Sequence, residues 1–477
     1  MTRPTFRRWA IAAFVVLLPP AAHAIWDQVE ANRFARYVRE LQERGEPIDR
    51  RADQQPLANE AERRASRLYA AAAILASDGL PPLNGDSSTP QADRHRTLQR
   101  DEKDLATLSG SAVTDARLVS LETVVSQSQA ALGLLDAATP LEFHRFDPTS
   151  PEYSYRLSNL FNLNVLNQTR TDLASFRGDG DAAARSLLAG VRLRRAMEGL
   201  WNSLAAGTFE SLRLLLGRTE PDAARLADLQ SAYEEFAVED GLAQYLTDLR
   251  ARIISDVWAT SARPFFAQRI HAPWRGQIPT SLEFVALRPW MTHRLLNTLH
   301  ELDTMIDLAR RPWPEKLRLM QPSASAPNRA EERPPFIVRA MARSGLPTWT
   351  EQFVRTWPQL RRIAARLAEN RVAVAALAIE RWRRAHGGAL PPDLRTLVPD
   401  QLSAVPLDPY DGQPLRFKQL PDGYVIYSIG DNGQDDGGRL SGWMPDLPGP
   451  IRRDTDPDIG IRVPAAHKGP PYDRGGP

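Results

Sequence analysis

Helical spacing of apolar residues dominates this chain and then stops. From Ile25 to about Asp307 nearly every patterned stretch repeats its apolar residues at intervals of three and four, whereas from Gly387 onward prolines, glycines and short alternating runs take over. A sequence of this kind specifies stacked antiparallel helices, arranged like helical hairpins, followed by a small α+β region with a short antiparallel sheet. With 42% hydrophobic and 25% charged residues in 477, the chain is apolar enough to bury a core and too evenly charged to remain unfolded.

Individual stretches show how the pattern works. Phe34, Tyr37, Val38 and Leu41 line one face of a first helix that Gly45 and Pro47 end. Asn59, with Glu62 three residues later, is a capping-box start for a second helix running through Leu68, Ala72 and Leu75. Ser77 to Asp93 reads as a loop, two helical stretches cover roughly 94–136, and an irregular connection follows at Thr139–Tyr153. Leu157–Phe176 is expected to be helical, Gly178–Asp181 a turn, and Ala182–Leu216 a long helix with a break near Gly207. Thr219 is the expected cap of the next helix, whose stripe is Leu226, Leu229, Tyr233 and Phe236.

Composition then divides the chain. Residues 1–24 read as an export signal: Arg3, Arg7 and Arg8 lead into the apolar run Trp9–Leu18, and Ala22-His23-Ala24 supplies small residues for cleavage. An uncleaved segment would instead tie the chain to the inner membrane. Residues 25–311 form the expected helical domain, and the proline-rich stretch 312–335 the linker. Residues 336–467 hold a long helix and the α+β head, and 468–477 a disordered tail. Without the signal's three arginines, the balance of 60 basic against 58 acidic groups becomes slightly negative. That gives no reason to expect a nucleic-acid partner. With no cysteine, disulfides, thiol nucleophiles and cysteine metal sites are excluded.

In the head, Pro414–Lys418 and Tyr424–Ile429 read as strands of a hairpin turning at Gln419-Leu420-Pro421-Asp422-Gly423. Beyond them, Asp431-Asn432-Gly433-Gln434-Asp435-Asp436-Gly437-Gly438 alternates carboxylates with turn formers, and Asp454-Thr455-Asp456-Pro457-Asp458 adds further acids. Hard oxygens on a backbone that glycine lets curl are what calcium takes, so Asp431, Asp435, Asp456 and Asp458 are the candidate metal ligands. The competing reading is a solvated acidic turn.

Arg371–Gly438 resembles the globular head of the major pseudopilin of type II secretion. The residues that carry the likeness are Ala375–His386 with Gly387-Gly388, then Leu390-Pro391-Pro392-Asp393-Leu394 and Leu397-Val398-Pro399. Pro406-Leu407-Asp408-Pro409-Tyr410-Asp411-Gly412-Gln413-Pro414 and Tyr427-Ser428-Ile429-Gly430-Asp431-Asn432-Gly433 complete it. The resemblance implies a long helix feeding a small sheet, and a calcium loop closed by the acids near Ile459. Three features depart from that family: the pilin cleavage signature is missing, the apolar N-terminal segment lies far from the head, and the preceding helix carries Arg361, Arg362, Arg366, Arg371, Arg381, Arg383 and Arg384. The upstream part is similar to exported helical bacterial proteins of uncharacterised function, through Leu41–Pro47, Arg67–Ala72 and Asp181–Leu193. That similarity implies no activity.

No nucleophile elbow, phosphate loop, dinucleotide fingerprint or zinc-protease motif is present, and no catalytic residue is assigned. His293 and His300 with Asp303 and Asp307 share a helix face, which suits either a metal or salt partners. Glu234, Glu235, Glu239 and Asp240 read as a solvated helix end, His144 as a loop histidine, and the eleven tryptophans chiefly as helix contacts. The expectation is a non-enzymatic, exported envelope protein: a helical interaction scaffold with a calcium-braced head, engaging another envelope protein or accessory to a secretion system. The alternative is a periplasmic hydrolase with its site between the helices and the head.

Overall fold

The computed structural model describes residues 3–49, 59–77, 115–143, 146, 156–197, 207–237, 241–261, 280–320, 357–440 and 458–465. Helices dominate: α1 (Arg3–Glu43), α2 (Glu60–Ser77), α3 (Asp115–Gln127), α4 (Gln129–Ala138), α5 (Arg156–Phe176), α6 (Gly180–Met197), α7 (Gly207–Arg218), α8 (Ala223–Glu234), α9 (Gly241–Ser261), α10 (Thr280–Ala309), α11 (Glu315–Met320) and α12 (Trp357–Ala385). Strands β1 (Arg416–Leu420), β2 (Gly423–Ser428) and β3 (Ile459–Pro464) form one antiparallel sheet in the order β1-β2-β3. The mainly α class with a small antiparallel sheet is as expected.

The chain divides into two compact units, one of residues 1–53 with 240–358 and the other of 54–239 with 359–477. This differs from the expected split into 25–311, 312–335 and 336–467. The middle of the expected helical domain shares its unit with the head, because the apolar faces of α6, α7 and α8 need α12 and the sheet to cover them. The expected linker differs too. Its described part carries α11, with Trp313 and Lys316 buried and the ammonium 5.1 Å from the indole centroid.

In the first unit, α1 and α9 pack on α10. Tyr37, Val38 and Leu41 are buried as the spacing predicts, together with Leu246, Ile254, Leu299 and Ile306. Helix α1 continues without interruption through Ala24, so the expected cleavage point is not a break in secondary structure; Ala21, Ala22 and Ala24 are good helix formers. Among the described residues no helix is long and apolar enough to cross a membrane.

The second unit has a layered core. Tyr69, Ala72, Leu132, Leu135, Leu163 and Leu166 cluster with Phe143 and Phe146, whose rings meet edge to face at 5.0 Å. A larger cluster joins Leu187, Leu212, Leu215, Leu226, Leu229 and Tyr233 to α12 and to Leu394, Leu397, Tyr424, Ile426, Ile461 and Val463. Every residue from Val372 to Ile379 is buried, so the middle of α12 is covered all round rather than along the single side its sequence suggested. Its arginines reach outward to specific partners: Arg371 donates to the Leu407 carbonyl at 2.7 Å and Arg381 to Gln230 Oε1 at 2.9 Å.

Local signals are mostly met. Asn59 accepts from the Ala61 amide at 2.9 Å to open α2. The cap of α8 is Asp222, accepting from the Arg225 amide at 2.6 Å, and not Thr219, whose hydroxyl bonds back to the Leu215 carbonyl at 2.8 Å. A serine or threonine ending one helix so close to the next can serve either, and here the aspartate occupies the cap. Residues 78–114, His144, Glu239, Asp240, Asp454, Asp456 and the tail 468–477 lie outside the described residues.

Candidate functional site at the acidic loop

The loop grows out of the sheet. β2 is central and buried along its whole length, with Ile426 paired between Phe417 and Ile461. As β2 ends, the chain is pinned by Asp408, a fully buried carboxylate from the preceding turn. One Asp408 oxygen accepts from the Ser428 hydroxyl at 2.8 Å and the Tyr410 amide at 3.0 Å; the other accepts from the Ile429 amide at 2.9 Å and Arg416 at 2.7 Å. Burial pushes the Asp408 carboxyl upward, and these donors oppose it. Arg416 also pairs with Asp411. The Asp408–Arg416 pair fixes where the loop begins; Asp408 stands in the segment that carries the pseudopilin resemblance, but the sequence gives neither residue this role.

Residues 430–440 then fold back on Asp458, just ahead of β3. Asp458 is fully buried, accepting from the Asp436 amide at 3.2 Å and the Gly438 amide at 2.7 Å. Burial raises its carboxyl. Gly438 is required at its position: its φ is +84°, and a Cβ would come within 3.0 Å of Val425 and 3.1 Å of Tyr427. Gly460 permits an equally close approach, since a Cβ there would meet the Ile426 carbonyl at 2.5 Å.

Of the four sequence-predicted ligands, Asp431, Asp435 and Asp458 belong to this loop and its closing strand, whereas Asp456 lies outside the described residues. Asp435 accepts from the Gly437 amide and the Tyr427 hydroxyl, both at 2.9 Å. The Gly437 amide is the chief reason its carboxyl sits below the ordinary value. Lys418 stands 5.2 Å from the Tyr427 ring centroid. Asp436, which the prediction left out, accepts from Asn432 Nδ2 at 2.9 Å and from Arg439 at 3.3 Å. Asp431 opens the turn, half-buried, directly after Gly430.

Carboxylate, amide and carbonyl oxygens suit a hard cation in kind. In arrangement Asp435, Asp436 and Asp458 are turned onto the loop's own amides and side chains, and among the described residues no three acidic or histidine groups converge as a metal site. To coordinate an ion, Asp435, Asp436 and Asp458 would have to leave these partners.

The other candidates are placed elsewhere. His293 Nδ1 is 3.3 Å from Glu30, and His300 meets the Tyr37 ring edge to face at 5.2 Å, so both face α1. Asp303 receives Tyr37 at 3.1 Å and the buried Arg250 at 2.6 Å, and Asp307 pairs with Arg310 at 3.6 Å. Glu234 accepts from Gln230 at 2.8 Å. Among the acids that sequence reasoning missed, Asp172 on α5 and Glu210 on α7 are deeply buried, as are Glu30 and Glu380. Helix α5 also buries Asn162, Asn164, Asn167, Thr171 and Ser175; such polar residues on a helix read as a solvated face. Comparison with protein-family models, curated proteins and solved structures gives no match.

Proposed function

We propose that the chain is a non-enzymatic, exported protein of the cell envelope, a helical interaction scaffold whose head is built like that of a type II secretion pseudopilin. An envelope protein is its partner, reached as an accessory of a secretion or pilus-like system. The observation that carries this reading is the single apolar core running from α6, α7 and α8 through α12 into the sheet. It joins α6, α7, α8, α12 and the sheet of the second unit in one packed body, which suits presentation of a surface rather than turnover of a substrate.

Calcium at the acidic loop belongs to the same proposal. Asp431, Asp435 and Asp458 would hold it, with Asp456 from outside the described residues; the ion would supply charge neutralisation and bracing, no chemistry. In a melting experiment, EDTA should lower Tm and calcium restore it, with Asp431→Ala abolishing the restoration. An unchanged melt would remove the ion. Pull-down of the full chain from membranes should recover an envelope or secretion component, and recovery of none would weigh against the accessory role. The rival hydrolase reading needs an open crevice between helices and head, yet Leu377, Leu394 and Tyr424 are buried in one apolar cluster there.

A further inference from the structure

We propose that the enclosed Asp172 carboxyl is a proton-operated latch between α5 and α7: its burial against α7 is stabilising while it is protonated and is weakened when its proton passes to solvent, the Ser211 hydroxyl offsetting only part of the buried charge. Asp172 has no exposed surface. One of its oxygens accepts from the Ser211 hydroxyl at 2.7 Å, and the other meets no hydrogen-bond partner among the described residues. A carboxylate so enclosed would leave a buried charge served by one hydroxyl, whereas the neutral acid leaves only a polar O–H.

Among the described residues no cation is shown compensating Asp172. The charged group that acts on Asp172 is Glu210, one residue from Ser211 on α7, and it is repulsive. Arg213 is spent on Glu210 at 3.0 Å. Arg366 and Glu369 of α12 pair with each other at 2.7 Å and act on Glu210. Arg194 of α6 donates to Thr208 and Asn370. On α5 itself, Arg170 pairs with Asp136 of α4 at 2.7 Å, and Arg177, just beyond its end, pairs with Glu122 of α3 at 2.5 Å. Glu60, Arg63 and Arg67 of α2 bond one another in solvent.

Burial accordingly pushes the Asp172 carboxyl from its usual 3.8 up to about 7. The folded chain therefore holds a proton that the unfolded chain has released. The latch contributes fully at the acidic end, loses strength as pH rises from about 4 to 7, and contributes nothing further above that. Asp435, lowered by its amide donor, has the opposite sign: its contribution is lost only as pH falls below about 4. Glu210 is raised by burial like Asp172, so its own variant is needed as a control.

The test is Tm against pH for the full chain, with amide hydrogen exchange of α5 and α7. Wild type should lose roughly 5 °C between pH 5 and pH 8, with faster pH-corrected exchange in both helices. Asp172→Asn should flatten most of that slope and melt above wild type at pH 8, while Glu210→Gln should retain the part due to Asp172. Ser211→Ala removes the bond that favours the charged form, so its midpoint should move to higher pH. An Asp172→Asn slope equal to wild type, or a Ser211→Ala midpoint that does not move, overturns the latch.

Discussion

In the unit built from α1, α9, α10 and α11, a line of charged pairs runs beside the apolar contacts of the facing helices; in the other, α12 meets its neighbours over the unbroken apolar stretch Val372–Ile379. Asp27 pairs with Arg288 and Glu30 faces His293, while Arg250 lies between Glu46 and Asp303 with Tyr37 donating to the same aspartate. A seam of that kind fixes register, because each group has one suitable opposite, but it adds little net stability once desolvation is counted. The apolar junction around α12 fixes less and stabilises more. The first unit thereby adds pairing to its apolar contacts, and the second relies on volume.

Three substitutions would break or sharpen this contrast. Leu377→Ala should cost about 3 kcal/mol, the largest effect, since it opens a cavity where α12 is enclosed on every side. Chemical denaturation should show the loss in the transition that reports the second unit, and an effect below 1 kcal/mol would mean the junction relaxes around the gap. Arg250→Leu should cost about 2 kcal/mol, because Glu46 and Asp303 lose their shared cation yet keep some access to water. A double replacement with Asp303→Leu should recover part of that loss; if it is worse than the single change, the pair contributes net stability. Asp222→Ala, which only uncaps α8, should cost about 1 kcal/mol, visible as earlier fraying in hydrogen exchange.

Much of the helical part was legible because amphipathic spacing is local. The Leu226, Leu229 and Tyr233 stripe, the stop at Gly45 and the hairpin around Asp422 needed nothing beyond neighbouring residues. β3 was not read as a strand, although Ile459, Ile461 and Val463 alternate, since the run is short, contains Gly460 and pairs with β2, which is distant in sequence. The unit boundaries escaped for a similar reason: prolines at 312–335 suggested a linker, yet Trp313 is buried and α11 follows it. In the acidic loop, glycine and aspartate made the turn readable, while the anchoring by Asp408 and Arg416 required the fold. Asp172 was hidden most completely, because nothing in the pattern of α5 distinguishes an enclosed aspartate from an exposed one.

The late position of α12 has a consequence for how the chain is made. Leu226, Leu229 and Tyr233 are synthesised long before the segment that covers them, and the whole of α9, α10 and α11 emerges in between. During that interval the half-finished body presents a greasy trough to its surroundings. A holding chaperone that recognises exposed leucines should therefore bind nascent chains stalled before Val372 and release those extended past β3.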